Sequence, residues 1–548
     1  MATESKVVVP SRLPRILSLV VLLAAVSLIV STYHVFDQTW DESPHIGPGM
    51  EWIASHSYTM DLLNSPFPRV IVAMGPYLLG ARPHHFRDPG TEGNAILASG
   101  NYDALLYSAR LGTLLFFIFG VYLVWSRARR WLGEWPALAA VLLFCTCEPV
   151  LGHSGVATTD IALMVMYFWA VDRVWTLLTQ ANVRNGCMAG LAVGLTMVCK
   201  HSAAPFMVFA AILLFLLLGI QRLRGGAVVQ WNSKAFKPKF LLPVFGISLF
   251  IVWAMYFFQV GSIAPKGSQD EQKTTAVLHR LHIPRAPVFA VLDHVPAYGY
   301  FVGIRAVRAQ NHNEKPSYFM GHLNTLGTHI FYPVLLLIKT PIPFMLFALA
   351  GVSLGLLALW RRETGYFTLL IAGAASPFLI ATMAHINMGL RHILTVYPFL
   401  AILGAWAISA MWRNSVWRAV VGLLLAWQVV ACAVAWPDYL PYFNEPTAKH
   451  ADFFEVDSDL DWGQDLKRLG PKLRSMNVDH VWLAYNGTED LSRADLPPWQ
   501  ELKPNEKPSG WIAVSVFNIK RRPEDYGWLD HYQPVAMAGK SIKIYRLP

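Results

Sequence analysis

The sequence predicts a polytopic α-helical membrane protein of about eleven transmembrane helices, with a small extracytoplasmic α/β domain at its C-terminal end. Three observations carry this. Of the 548 residues, 54% are hydrophobic and only 15% charged, whereas ordinary globular domains carry roughly 25% charged residues. Apolar runs close to the ~20 residues that cross a bilayer recur from the start of the chain to about residue 437. Beyond that point the runs stop and strand-like alternation takes over.

In order along the chain, the opening MATESKVVVPSRLPR precedes an apolar stretch at residues 16 to 33 that lacks a small-residue cleavage site. It reads as a retained first helix near 14–33. Further spans are expected near 104–125, 136–151, 158–178, 186–199, 203–220, 240–260, 335–359, 365–385, 393–412 and 416–436. Lys6, Arg12 and Arg15, the SRARR run, the basic residues from Arg222 to Lys239, Arg361 with Arg362, and Arg413 with Arg418 alternate onto one side. The positive-inside rule makes that side cytoplasmic. A membrane domain over 1–437 then carries outer loops at 34–103 and 261–330, and 438–548 forms the soluble domain.

In the first loop, Gly47, Pro48 and Gly49 suggest a turn, and residues 51 to 60 a surface helix. In the tail, VDSDLDWGQDLKRLGPKL suggests an amphipathic helix capped by Asp457 or Ser458, with Asp459 and Asp461 given no catalytic role. VDHVWLAYNG, GWIAVSVFNI and SIKIYRL read as strands, and Asn486-Gly-Thr488 is a sequon on the outer side.

Several function classes drop out. The +10 net charge is explained by topology, so no nucleic-acid partner is implied. Cys145, Cys147, Cys187, Cys199 and Cys432 sit in apolar segments without zinc-site spacing and read as packing residues. No Walker A, GxGxxG or HExxH pattern is present.

The polar residues at the span ends are more informative. Asp41, Glu42 and His45 follow the first span, and Asp160 opens the fourth in VATTDIAL. Lys200 and His201 separate the fifth and sixth, Lys339 interrupts VLLLIKTPIP, and Arg391 and His392 open the tenth. By alternation all lie at the outer boundary. Singly, Asp160 reads equally well as a helix cap, and Lys200 or Lys339 as snorkelling anchors. Together, a mixed set on one face points to function, because incidental anchors populate both faces.

Such a set suits transfer of a group from a phosphate-linked donor. Arg391, His392, Lys200 and Lys339 would hold the phosphate, and Asp41 would take a proton from the attacking acceptor. Alternatively, Asp41, Glu42 and Asp160 would hold a divalent cation such as Mg or Mn; no other cofactor is indicated. His45 would orient a carboxylate, touch a ligand or hold the turn, and His201 is a further candidate.

At WDESPHIGPGMEWI, VATTDIAL, GLAVGLTMVCKHSA, YPVLLLIKTPIP, MGLRHILTVYPFL and YFNEPTAKHADFFEVDSDLDWGQDLKRL the sequence resembles the GT-C membrane glycosyltransferases. The resemblance is to the protein mannosyltransferase and aminoarabinose transferase group and its bacterial polyprenyl-phosphate-dependent members. It implies a GT-C fold in a bacterial inner membrane and an inverting enzyme on the outer leaflet. The donor would be a polyprenyl-phosphate sugar and the acceptor a protein, lipid or glycan. Asp41 would be the first-loop base with Glu42 beside it, and Asp160 the second acidic position. Lys200 and Arg391 would lie near the lipid phosphate. One element departs: where many relatives carry His-Pro-Pro, this chain has DLLNSPFPRVIVA at 61 to 73, which keeps the prolines and Arg69 but lacks the histidine. Two other classes stay open, a transporter or flippase with charges along a path, and an inactive scaffold that uses its tail to bind a partner.

Overall fold

In lipid an apolar run can satisfy its own backbone only as a helix. The computed structural model describes residues 12–226, 233–312 and 316–548. Among them nine helices are long and apolar enough to span: Leu13–Thr32, Tyr102–Leu132, Asp160–Thr179, Ala203–Leu223, Pro238–Met255, Ile342–Trp360, Tyr366–Met383, Leu390–Met411 and Ser415–Ala435. A further apolar pair, Glu134–Cys145 and Glu148–Ser154, is bent by 63° at a short break, so that the two together form either one broken span or a re-entrant loop. Lys6 and the middle of the basic segment between Arg222 and Lys239 lie outside the described residues. The five cysteines are free thiols.

Two of the about eleven expected spans differ from the structure, one in its length and one in its boundaries. The run near 186–199 forms Val183–Met197, whose 15 residues reach only about 22 Å, short of the hydrocarbon thickness of about 30 Å. Gly186, Gly190 and Gly194 form its contact stripe, where a Cβ would meet Phe240 O at 2.6 Å, Pro243 O at 2.6 Å and Ile251 at 2.9 Å. Small residues at this spacing let backbones approach closely. The run near 335–359 is two helices, Phe331–Lys339 and Ile342–Trp360. Pro341 lacks an N–H and holds Thr340 extended at φ −93° and ψ 137°.

The first loop is more helical than expected, with Glu42–Ser55, Pro66–Leu78 and Pro89–Ala98 packed together. Gly47, Pro48 and Gly49 lie inside the first of these, not in a turn. The glycines serve close approach: a Cβ on Gly49 would stand 2.1 Å from Arg69 O, and one on Gly47 2.7 Å from Pro89 O. The expected surface helix over 51 to 60 is replaced by the C-terminal half of Glu42–Ser55 and an irregular stretch.

The tail contains a five-stranded sheet in the order Trp499–Glu501, Val481–Ala484, Gly510–Ser515, Ile542–Leu547, Ala536–Ala538. The first three strands are parallel and the last two pairings antiparallel. The strands Trp499–Glu501 and Ala536–Ala538 carry too little apolar alternation to be read from sequence, and residues 516 to 519 turn into a helix rather than extending their strand. Helix Leu466–Ser475 buries Leu466, Leu469 and Leu473 under the sheet. It starts well after Asp457 and Ser458, so neither is its cap. Residues 457 to 465 are irregular because their carboxylates find distant backbone donors instead. Asp459 Oδ2 accepts from Leu390 N–H at 2.8 Å, Asp461 Oδ2 from Phe517 N–H at 2.9 Å, and Asp465 Oδ2 from Lys540 N–H at 2.8 Å.

This irregular segment joins the tail to the first loop. Asp37 N–H donates to Gln464 O at 2.9 Å and Trp40 N–H to Trp462 O at 2.8 Å. Around the sequon, Gln38 Nε2 donates to Thr488 Oγ1 at 2.9 Å and Asn94 Nδ2 to Thr488 O at 2.6 Å.

Candidate active site

Asp41 immediately precedes helix Glu42–Ser55, and its side chain remains 26% exposed. Arg391 Nη1 donates to Asp41 Oδ2. Arg391 lies in a 3₁₀ turn, Leu390–Val396, that leads into the Tyr397–Met411 helix. Gly389 makes the approach possible: its φ is +79°, and a Cβ there would stand 2.2 Å from Ser458 Oγ. Trp462 lies against the guanidinium at 4.6 Å from ring centroid to Cζ. The cation is therefore held by an acid from the first loop and an aromatic ring from the tail.

Asp160 is the first residue of its span, and Lys200 Nζ donates to its Oδ1 at 2.7 Å. Helix Val183–Met197 runs back along Asp160–Thr179, which brings Lys200 to the same end of the bundle. Asp160 acts electrostatically on both Asp41 and Arg391. Four groups read separately from sequence, Asp41, Asp160, Lys200 and Arg391, thus form one alternating cluster of acids and bases. Burial alone would raise Asp41, but the Arg391 charge, His45 and the hydrogen bond from Arg391 together outweigh it and hold the carboxyl below the ordinary carboxylate range.

Glu42 turns the other way. Arg110 donates to it through Nε at 2.8 Å and Nη2 at 2.9 Å, and the amides of Thr39 and Ala157 donate at 2.7 and 2.8 Å. Both side chains of the pair are fully buried. With its oxygens committed, Glu42 is a brace, which corrects its expected place among the reacting groups. It ties the first loop to span Tyr102–Leu132 and to the strand of chain entering Asp160. It also removes the third carboxylate from the anticipated cation set. Among the described residues no group of three or more His, Cys, Asp or Glu side chains is arranged to hold a metal ion, so Asp41, Glu42 and Asp160 do not fit that role as a trio.

His392 borders the cluster, within electrostatic range of Lys200, Arg391 and Asp160, and its buried Nε2 has no hydrogen-bond partner. His153 was not anticipated. It is 2% exposed, its ring is 5.9 Å from that of Trp462, and its Nδ1 is unpartnered. Its position in LGHSGVATTD, seven residues ahead of Asp160, was the available signal.

Residues 103–232 match the family model described as dolichyl-phosphate-mannose-protein mannosyltransferase. The matched segment holds Arg110, Asp160 and Lys200 but neither Asp41 nor Arg391. Among solved structures, ArnT from Cupriavidus metallidurans bound to undecaprenyl phosphate is similar at 14% identity and a TM-score of 0.47, covering 97% of each chain. The oligosaccharyltransferase AglB from Archaeoglobus fulgidus, with an inhibitory peptide and a dolichol-phosphate, is 12% identical over 98% of this chain and 75% of that one, with a TM-score of 0.47. No curated protein sequence matches the chain.

Two expected phosphate or site residues belong elsewhere. Lys339 is 1% exposed and donates to Leu440 O at 3.0 Å and Asp459 O at 2.7 Å, with Phe443 against it at 4.4 Å. It supports the tail segment from beneath and has no free face for a phosphate. His201 bonds Leu62 O through Nε2 at 3.0 Å and packs on Tyr300 at 5.2 Å, pinning the first loop to the 261–330 segment. Burial lowers its pKa to about 4.

His45 is held differently from its neighbours. Arg69, fully buried, donates from Nε to His45 Nδ1 at 3.0 Å, from Nη1 to Tyr58 Oη at 3.0 Å and from Nη2 to Asp61 Oδ2 at 2.5 Å. Arg69 belongs to the stretch that keeps the prolines and lacks the expected histidine.

Proposed function

We propose that this integral multi-pass membrane protein is an inverting GT-C glycosyltransferase. It takes a sugar from a polyprenyl-phosphate donor at the outer face of the membrane, in a bacterial inner membrane, and passes it to a hydroxyl or amine of a protein, lipid or glycan. The observation that carries this reading is the pairing of two carboxylates with two cations, Asp41 with Arg391 and Asp160 with Lys200, at one end of the bundle. The family match over residues 103–232 supports it, since that family's description names a lipid-phosphate-linked sugar.

In this reading the donor phosphate takes over Arg391 and Lys200. Guanidinium and ammonium groups stabilise the charge that grows on the phosphate oxygen as the sugar leaves. Once Arg391 turns to the phosphate, Asp41 loses the cation that keeps it weakly basic, and burial raises its proton affinity. Asp41 then accepts the proton of the acceptor hydroxyl or amine as that atom bonds to the anomeric carbon from the face opposite the phosphate. The carbon–oxygen bond to phosphate breaks and the polyprenyl phosphate departs with the electron pair. Donor binding thereby activates the base, which limits proton abstraction to the loaded site. Asp160 holds Lys200 in place for the phosphate.

The test is transfer by purified protein in lipid nanodiscs from a radiolabelled polyprenyl-phosphate sugar to hydroxyl- and amine-bearing acceptors. The expected result is transfer with inversion that falls about 10²- to 10⁴-fold in Asp41→Asn. Undiminished transfer in that variant overturns Asp41 as base. Absence of transfer from every lipid-linked donor overturns the enzyme reading in favour of a scaffold.

A further inference from the structure

Arg69 and His45 meet side chain to side chain in the buried part of the first loop. A guanidinium has five N–H donors and no lone pair to offer. The atom that faces its Nε at 3.0 Å, His45 Nδ1, must therefore accept. A neutral imidazole with an accepting Nδ1 carries its proton on Nε2. Protonating Nδ1 would break this hydrogen bond and set a second cation against a buried guanidinium.

We propose that Arg69 is a positioning residue that fixes His45 as the neutral Nε2–H tautomer, so that His45 donates a hydrogen bond to the Asp41 carboxylate when Arg391 turns to the donor phosphate. This rests on the transferase reading above. Asp41 and His45 are four residues apart, His45 N–H bonding Asp41 O at 3.2 Å, a spacing that stacks side chains on one helix face. His45 is 5% exposed and Arg69 fully buried, so neither adjusts freely to solvent.

The groups around the ring are consistent with a fixed neutral state. Arg69 faces it from helix Pro66–Leu78, with its own charge met by Asp61 and its remaining donors by Tyr58 Oη and Asp61 O. Asp41, at the N-cap of the same helix, and Asp160 from the adjacent span act on it as negative charges. Glu92, from helix Pro89–Ala98 on the side of Gly47, is committed to the amides of His84 and Phe86. Burial first, and then the Arg69 charge, lower the His45 pKa to about 3. His45 is thus a constant donor across the working pH range, neither a base nor a pH sensor.

The stretch at 61 to 73 contributes Arg69 to the site's edge, and the imidazole comes from the preceding helix.

The experiment is nitrogen NMR of the full chain, selectively ¹⁵N-labelled at histidine, in detergent, with the His45 signals assigned by their loss in His45→Gln. The expected spectrum shows an unprotonated Nδ1 and a protonated Nε2, unchanged through the range around pH 6.5 where a free imidazole titrates. A His45 signal that titrates there, or one with its proton on Nδ1, overturns the proposal. This reading needs no activity, so it is separable from failure of the transferase reading, which shows as absence of transfer by the parent protein.

Kinetics test the role. His45→Ala should lower kcat by up to about 100-fold with the donor KM little changed, since misplaced reacting groups lose that order of rate. His45→Gln, which retains an N–H donor, should recover a large part of it. Equal losses in Ala and Gln overturn the donor role. Arg69→Met should introduce a pH limb near the free imidazole value that disappears in Arg69→Met with His45→Gln; where Arg69→Met does not fold, the NMR of the parent decides.

Discussion

Asp41 and Glu42 are adjacent in sequence yet have unlike neighbours, and the difference decides what each substitution does. Asp41 faces the cation that the donor phosphate is proposed to claim, whereas Glu42 faces a fully buried Arg110 whose other donors go to the carbonyls of Phe36 and Asp37. Asp41→Asn should therefore bind polyprenyl phosphate more tightly than the parent while turning over far less, because Arg391 is freed but the base is lost. Equilibrium binding of the labelled lipid measures this, and weaker binding in the variant contradicts the proposed exchange of partners. Glu42→Gln should instead act on stability. Leaving Arg110 buried without its charge partner costs about 3–5 kcal/mol, seen as a lower Tm in a thermal-shift assay. Much of this residue-level chemistry was legible: the ends of apolar runs contained Asp41, Asp160, Lys200 and Arg391. Not legible was the direction each side chain takes. Nothing local to Lys339 or His201 announces carbonyl partners more than 100 residues away, at 101 and 139 residues respectively.

At the scale of elements, periodicity found most helices and the three longer strands, and failed where long-range contacts override local preference. The Gly-Pro-Gly of the first loop reads as a turn because its neighbours are unseen; inside the fold each glycine makes room for another backbone. Gly49→Ala should accordingly lower stability by about 1–3 kcal/mol, the usual range for overpacking, and shift Arg69, reported by the His45 nitrogen signals. The contact between loop and tail has its own pH dependence. Glu489 and Asp37 are both raised, chiefly by burial, and the charge of Asp37 adds to the rise of Glu489, with Tyr102 Oη within hydrogen-bond reach of both carboxylates. A carboxyl raised in the folded state binds its proton more tightly there than in the unfolded chain. Its contribution is complete below the ordinary value of about 4 and is lost progressively as pH rises above it towards the raised value of the folded pair. Glu489→Gln should flatten the fall of Tm with pH through this window; an unchanged slope assigns the dependence to other groups.

At the scale of the whole molecule, the tail is part of the site's wall. Trp462 covers Arg391, Asp459 anchors the turn that presents it, and Lys339 supports Asp459 from beneath. Trp462→Ala should weaken polyprenyl-phosphate binding while leaving far-ultraviolet circular dichroism unchanged, since it removes a ring from the cation and no backbone hydrogen bond. A mean hydropathy of +0.38 and the span pattern disclosed a membrane bundle with a soluble appendage. They did not disclose that the appendage closes on the first loop, because contacts this distant leave no periodic trace. The two adjacent carboxylates of that loop consequently find their partners at different moments of synthesis. Glu42 meets Arg110 after 68 residues, but Asp41 waits for Arg391, 350 residues on. At about 5–20 residues per second, the brace is available to the nascent chain within seconds, while the Asp41–Arg391 pair stays unassembled until most of the protein has left the ribosome.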